Sequence, residues 1–231
     1  MFRALAEGWS ARIPSQCAVC HAWPSRPVCD HCVARFGQPV HRCQTCALPL
    51  SVGRAQCGEC VLHPPPLDQT LAAVGYAYPW SRLVSDFKFR ERPGWAHALA
   101  TLMRSAPWVE PTLEQADVLL PMPLSPQRLA ERGFNQSLVL ARALSEPKTR
   151  GQWLLRVRDT PAQSSLPREE RLRNVQHAFA LDPRWQPQIA GRRVVLVDDV
   201  MTTGASLWAC ARILRLAAAA HIAALVFART E

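Results

Sequence analysis

The chain has 231 residues, of which 48% are hydrophobic, 19% charged and 7% aromatic, a balance that excludes disordered and collagen-like proteins and allows one large or two modest domains. Its formal charge is +9, carried almost wholly by arginine, with Lys88 and Lys148 the only two lysines; arginine grips phosphates bidentately, although a high-GC coding sequence gives the same bias. No charged, apolar and small-residue leader pattern and no apolar run of about 18 residues occurs, so neither secretion nor membrane spanning is expected and the protein is read as cytoplasmic.

Eight of the nine cysteines fall in the first quarter as four CxxC pairs: Cys17/Cys20, Cys29/Cys32, Cys43/Cys46 and Cys57/Cys60. Two thiolates at this spacing converge on one ion, and two pairs complete a tetrahedral Zn²⁺ site. Sequential pairing is the simplest arrangement: one zinc on Cys17, Cys20, Cys29 and Cys32, a second on Cys43, Cys46, Cys57 and Cys60. A crossed arrangement is the alternative. Disulfides would require an oxidising compartment that nothing in the chain supports, and redox CxxC motifs do not come four at a time. Eight thiolates outweigh two Zn²⁺ ions in charge, so the metal-binding region is not strongly basic. Cys210 stands alone in an apolar helical run and reads as core.

The His63-Pro64-Pro65-Pro66 segment is a stiff spacer. It suggests a cysteine-rich double zinc-ribbon domain over 1–63 and a second domain over 67–231. In the second, Leu71 to Tyr78 reads as a strand and Trp95 to Met103 as a helix with Leu99, Leu102 and Met103 on one face. Val118 to Leu120 is a short buried strand. Ser125 and Pro126 suit the N-cap and first position of a helix that Gly133 stops, and Asn135 can cap another helix ending at Leu144. Residues 150–173 hold six arginines, including Arg156, Arg158, Arg168 and Arg171, and the part from Asp159 to Pro167 reads as an exposed loop flanked by arginine. Val194 to Val197, Ala205 to about Ala218 and Ile222 to Ala228 then form a βαβ unit, which implies a parallel sheet. The expected fold class is α/β.

The chemistry concentrates in Val194-Val195-Leu196-Val197-Asp198-Asp199-Val200-Met201-Thr202-Thr203-Gly204-Ala205-Ser206. A buried strand delivers two acids at its carboxyl end, the edge of a parallel sheet where ligands bind. A Thr-Thr-Gly turn then opens a helix. Its first-turn N–H groups and the hydroxyls of Thr202, Thr203 and Ser206 make an anion cradle, and Gly204 removes a Cβ from the approach. Asp198 and Asp199 suit ribose hydroxyls or a Mg²⁺ bridging to pyrophosphate. A Walker B reading is disfavoured because no GxxxxGK[ST] occurs.

This segment resembles the PRPP-binding motif of type I phosphoribosyltransferases. The CxxC pairs, Pro64-Pro65-Pro66 before Asp68, Asp86-Phe87-Lys88-Phe89, Pro121-Met122-Pro123-Leu124, Arg132-Gly133-Phe134-Asn135-Gln136, Thr160-Pro161-Ala162-Gln163 and Arg168 to Asn174 extend the resemblance over nearly the whole chain. In that order they resemble the ComF/ComFC (GntX-like) competence family: a type I phosphoribosyltransferase-like parallel sheet flanked by helices, behind an N-terminal double zinc ribbon. The resemblance implies that Asp198 and Asp199 hold the ribose hydroxyls and Mg²⁺, that Thr202, Thr203, Gly204 and Ser206 cradle the 5′-phosphate with Met201 beside them, and that the loop from Pro121 to Arg128, Pro123 included, contacts the diphosphate. Gln163, Arg168 and Arg171 lie where such enzymes carry the hood that closes over PRPP. Relatives tend to place glycine near the end of the last helix, whereas Leu216 to Ala220 is leucine and four alanines here, so the helix is expected to run on toward His221.

The family is associated with imported single-stranded DNA in natural transformation. Its fold serves both transferases and catalytically silent PRPP sensors. If active, the chain would be a phosphoribosyltransferase; the alternative is a sensor or adaptor that docks on a DNA helicase or translocase through its zinc domain. A single-stranded DNA surface is expected on the arginines of the zinc domain and of residues 150–173.

Overall fold

The structure is a computed structural model that describes residues 15–89, 93–158 and 177–231. By packing, the chain forms two compact units, Met1–Gln38 and Pro39–Glu231.

In the first unit Ser15 and Ser25 bridge as a short antiparallel pair, which closes a knuckle carrying Cys17 and Cys20. Helix α1 (Asp30–Phe36) follows, and the Cys29 sulfur accepts the Cys32 N–H at its N-terminus. Cys17, Val28 and Cys32 are the buried residues among those described here. A core of two cysteines and one valine is too small to hold a fold without help.

The second unit opens on the second cysteine knuckle and the short α2 (Gly58–Leu62). The second cluster therefore packs with the sheet. Four strands, β1 (Gln69–Gly75), β2 (Val118–Pro121), β5 (Arg193–Met201) and β6 (His221–Arg229), form a parallel sheet in the order β1-β6-β5-β2. Their near-continuous apolar runs are what a sheet covered on both faces requires. Alternate residues, Val118, Leu120, Val194, Leu196, Ile222, Ala224 and Val226, face one core together with α8 (Ala205–Leu216) and the second cysteine cluster. Against the sheet also pack α4 (Trp95–Ser105) and α7 (Gln136–Ser145). The βαβ reading holds, with β5, α8 and β6 in that order and β5 parallel to β6.

Helix α6 (Pro126–Arg132) starts and stops as its sequence dictates: the Ser125 side chain accepts the Arg128 N–H, Pro126 sits in the first turn, and Gly133 ends it at φ +71°. Asn135 caps α7 by accepting the Leu138 N–H at 3.2 Å. Four helices were not anticipated: α1 and α2 beside the cysteines, α3 (Trp80–Phe89) and α5 (Val109–Gln115). Trp80, Leu83, Val84 and Phe87 in α3 are buried at helical spacing. The arginine-rich stretch also contains an unanticipated strand, β3 (Leu154–Arg156), which pairs antiparallel with β4 (Phe179–Leu181), while the loop expected from Asp159 to Pro167 lies outside the described residues. Three residues are too few to display a period of two.

The last helix does not run on. It ends at Leu216, where the Ala218 N–H reaches the Arg215 carbonyl and the Ala219 N–H the Leu214 carbonyl, with Ala218 in the left-handed region at φ +60°. Hydrogen bonding by a full terminal motif overrides the alanine run's helix propensity.

Candidate functional site

A cavity of about 250 Å³ opens at the carboxyl edge of the sheet. Its floor is the end of β5, from Asp198 to Met201, continuing through Thr202 into Gly204 and the first turn of α8. The loop after β2 contributes Met122, Pro123 and Leu124; α6 contributes Arg128 and Arg132; the β3–β4 ribbon contributes Arg156 and Phe179. Lys88 enters from the end of α3 and Ser137 from α7.

The acids are more enclosed than a strand end facing solvent would make them, because β5 extends through them to Met201. Asp199 is 5% exposed and forms an ion pair with Lys88, Nζ to Oδ1 at 3.0 Å. One oxygen of Asp198, Oδ1, accepts from the Ser137 hydroxyl at 2.8 Å and from the Asp199 N–H at 2.9 Å. Burial, reinforced by the Asp199 charge, pushes the Asp198 carboxyl up to about 7 against the opposing pull of Lys88, Ser137 and the Asp199 N–H.

Gly204 precedes α8 at φ +83°. A Cβ there would come within 2.5 Å of the Met201 methyl and 2.8 Å of the Trp208 indole, so both the backbone angle and the packing select glycine. Gly204, at the N-cap, has no side chain to cap this helix, and the helix begins at the cavity, with Ala205, Ser206 and Leu207 in its lining. Four cations, Lys88, Arg128, Arg132 and Arg156, face two carboxylates. Arg132 lies over the Phe89 ring at 5.3 Å and donates to Gln136 Oε1 at 3.0 Å, and Arg156 lies over Phe179 at 5.5 Å.

Of the residues singled out in the sequence, Asp198, Asp199, Met201, Thr202, Gly204, Ser206 and Pro123 line this cavity. Thr203 does not; its hydroxyl accepts the Ala205 N–H at 3.4 Å instead. Gln163, Arg168 and Arg171 lie outside the described residues. The sequence reading assigned no role to Lys88 or Ser137. A lysine in a chain that otherwise uses arginine was the available signal for Lys88; Ser137, a small residue two places after a cap, gave none. Arg156, expected on a DNA surface, belongs to the cavity wall, and Arg150 folds back onto the Pro147 and Thr149 carbonyls.

The cysteines form two tetrads, Cys17/Cys20/Cys29/Cys32 and Cys43/Cys46/Cys57/Cys60, so pairing is sequential. Sulfur separations are 3.9 Å for Cys17–Cys32, 3.5 Å for Cys20–Cys29 and 3.7 Å for Cys46–Cys57, against about 3.8 Å between vertices of a tetrahedron with 2.3 Å Zn–S bonds. All nine cysteines are free thiols. Burial opposes the thiolate at Cys17, but the N–H groups of Cys20, Cys29 and Val19 outweigh it and bring the thiol down to about 6. Each tetrad has the geometry and chemistry to hold a structural Zn²⁺.

These features define a parallel α/β protein with an acid-pair cavity beside a helix N-terminus and two four-cysteine knuckles. No protein-family model matches the chain. It is 32% identical over 227 residues to the DNA utilization protein YhgH of Salmonella typhimurium, covering 94% of this chain and 98% of that protein. It is 31% identical over 186 residues to competence protein F of Haemophilus influenzae (75% and 78% covered) and 30% identical over 198 residues to competence protein ComFC of Bacillus subtilis (83% and 79%). The chain belongs to this ComF/ComFC competence-protein family. Among the described residues no helix is long and apolar enough to cross a membrane.

Proposed function

We propose that the cavity binds PRPP with Mg²⁺ and that the chain acts in the cytoplasm on DNA taken up as single strands. The observation that carries the reading is the meeting, in one cavity, of an acid pair, a helix N-terminus opened by Gly204 and four cations. The 5′-phosphate suits the Ser206 and Leu207 N–H groups and the Thr202 and Ser206 hydroxyls. The ribose hydroxyls suit Asp198 and Asp199 as acceptors. The diphosphate suits Arg128, Arg132 and Lys88, which line the same cavity.

The acids fit Mg²⁺ as well: the Asp198 oxygen not engaged by Ser137 and the Asp199 carboxylate are hard oxygen donors of the kind the ion selects. When bound, the ion would offset the diphosphate's charge. Lys88 would then exchange Asp199 for a diphosphate oxygen. If the C1 bond is displaced, the same cations neutralise the charge that develops on the departing pyrophosphate. A silent sensor would use identical contacts without displacement.

The DNA part of the reading draws on the printed names of the relatives, a DNA utilization protein and two competence proteins. A translocase or helicase is the partner class proposed for the zinc-binding region. The test is a calorimetric titration of PRPP with Mg²⁺, run with and without a single-stranded oligonucleotide and coupled to a pyrophosphate assay. Saturable Mg²⁺-dependent binding supports the site, pyrophosphate release selects the transferase over the sensor, and no binding refutes both.

A further inference from the structure

Arg229, the last residue of β6, is a buried arginine at 7% exposure whose side chain joins two places that the PRPP reading leaves separate. Its Nε donates to the carbonyl of Cys46, a member of the second cysteine tetrad, at 2.9 Å. Its Nη1 donates to the carbonyl of Met201 at 3.4 Å and also engages the Thr230 carbonyl. Met201 is the residue from which the Thr202-Thr203-Gly204 turn springs, and it stands opposite Arg229 in the strand register. The Thr230 N–H donates to the same Met201 carbonyl at 3.1 Å.

The knuckle is itself seated on the sheet. The Thr70 N–H and hydroxyl donate to the Gln44 and Thr45 carbonyls at 2.7 and 2.6 Å. Cys43, Cys46, Cys57 and Cys60 share one buried core with Met201, Ala205 and Leu207. A planar guanidinium can satisfy several carbonyls in a fixed geometry, which an ammonium cannot.

We infer that Arg229 is a positioning residue through which the second cysteine knuckle fixes the phosphate-binding turn, so that the knuckle is a working part of the ligand site. Metal on the knuckle holds the Cys46 carbonyl in place, the carbonyl orients Arg229, and Arg229 holds Met201 at the root of the turn. This rests on the PRPP reading for the identity of the ligand, though not for the coupling itself. Orientation of the turn sets the aim of the helix N–H groups at the anion, so its loosening weakens binding even though Arg229 does not line the cavity.

The test compares the full-length zinc-loaded protein with Arg229→Met and Arg229→Lys by metal content, hydrogen exchange and PRPP·Mg²⁺ affinity. Both variants should retain two zinc ions. Exchange should rise in a peptide spanning 198–208, more for Met than for Lys, while the β5 and β6 interior over 193–197 and 222–227 stays protected. Affinity should fall about tenfold in Arg229→Met, the loss of about one hydrogen bond to a charged group. Unchanged exchange over 198–208, or an equal rise throughout both strands, would overturn the coupling. If wild type binds no PRPP, the ligand reading fails by itself and the exchange pattern still decides the role of Arg229.

Discussion

At the scale of single residues, Gly204 shows how backbone and packing agree on one choice. Its φ of +83° costs any residue with a Cβ about 1–2 kcal/mol, and an added methyl would displace the Met201 terminus and the Trp208 indole. Gly204→Ala is therefore expected to lower Tm by a few degrees and to weaken anion binding in the same protein, measured by thermal unfolding and titration. A variant as stable as wild type would contradict that reading. Asp199 illustrates a different constraint. It is buried, and Lys88 at 3.0 Å keeps it from being an uncompensated charge, so the site carries its own counter-ion.

At the scale of elements, Ala218 stands in the left-handed region at φ +60° in the cap that ends α8. Ala218→Gly should stabilise the protein by about 0.5–1 kcal/mol, since relief of strain exceeds the added entropy of the unfolded chain; a lower unfolding midpoint in denaturant would refute it. Asp68 joins three elements, accepting the Ile222 N–H of β6 at 2.7 Å and Arg215 of α8 at 2.5 Å just before β1 begins. Burial raises its pKa, but those two partners outweigh burial and hold it below the usual carboxylate value. A depressed pKa contributes stability above the unfolded value of about 3.9, and that contribution is lost as pH falls through the folded value. The Tm gap between wild type and Asp68→Asn should thus be present at pH 7 and close below about pH 4; a gap independent of pH would contradict it.

The elements that sequence reasoning reached were those with local chemical signals. Ser125-Pro126, Gly133 and Asn135 carry their own hydrogen-bonding logic, and the apolar runs of β5 and β6 announce a doubly covered sheet. The end of α8 misled, because its stop is made by backbone hydrogen bonds around an alanine that carries no signal of its own. The β3–β4 ribbon escaped notice because its pairing is set by tertiary contact. In the site, the contiguous Asp198-to-Ser206 segment was legible, while Lys88, Ser137 and Arg156 come from three other elements and become neighbours only on folding.

At the scale of the whole molecule, the two tetrads serve differently. Residues 15–38 bury Cys17, Val28 and Cys32 alone among those described, so removal of metal is expected to unfold them, whereas the second tetrad shares a core with the sheet. Metal analysis of protein purified without chelator should give about two equivalents of zinc per chain, and a value near zero with nine reactive thiols would contradict both sites. The central claim, that the acid pair and the helix N-terminus form one PRPP site, is tested most directly by calorimetric titration of PRPP with Mg²⁺ into wild type and Asp198→Asn/Asp199→Asn. Both changes preserve side-chain volume but leave Lys88 without its counter-ion, so the double variant is compared once thermal unfolding shows it folded, and binding should weaken by about 2–4 kcal/mol. Equal affinity in the two proteins would contradict the site.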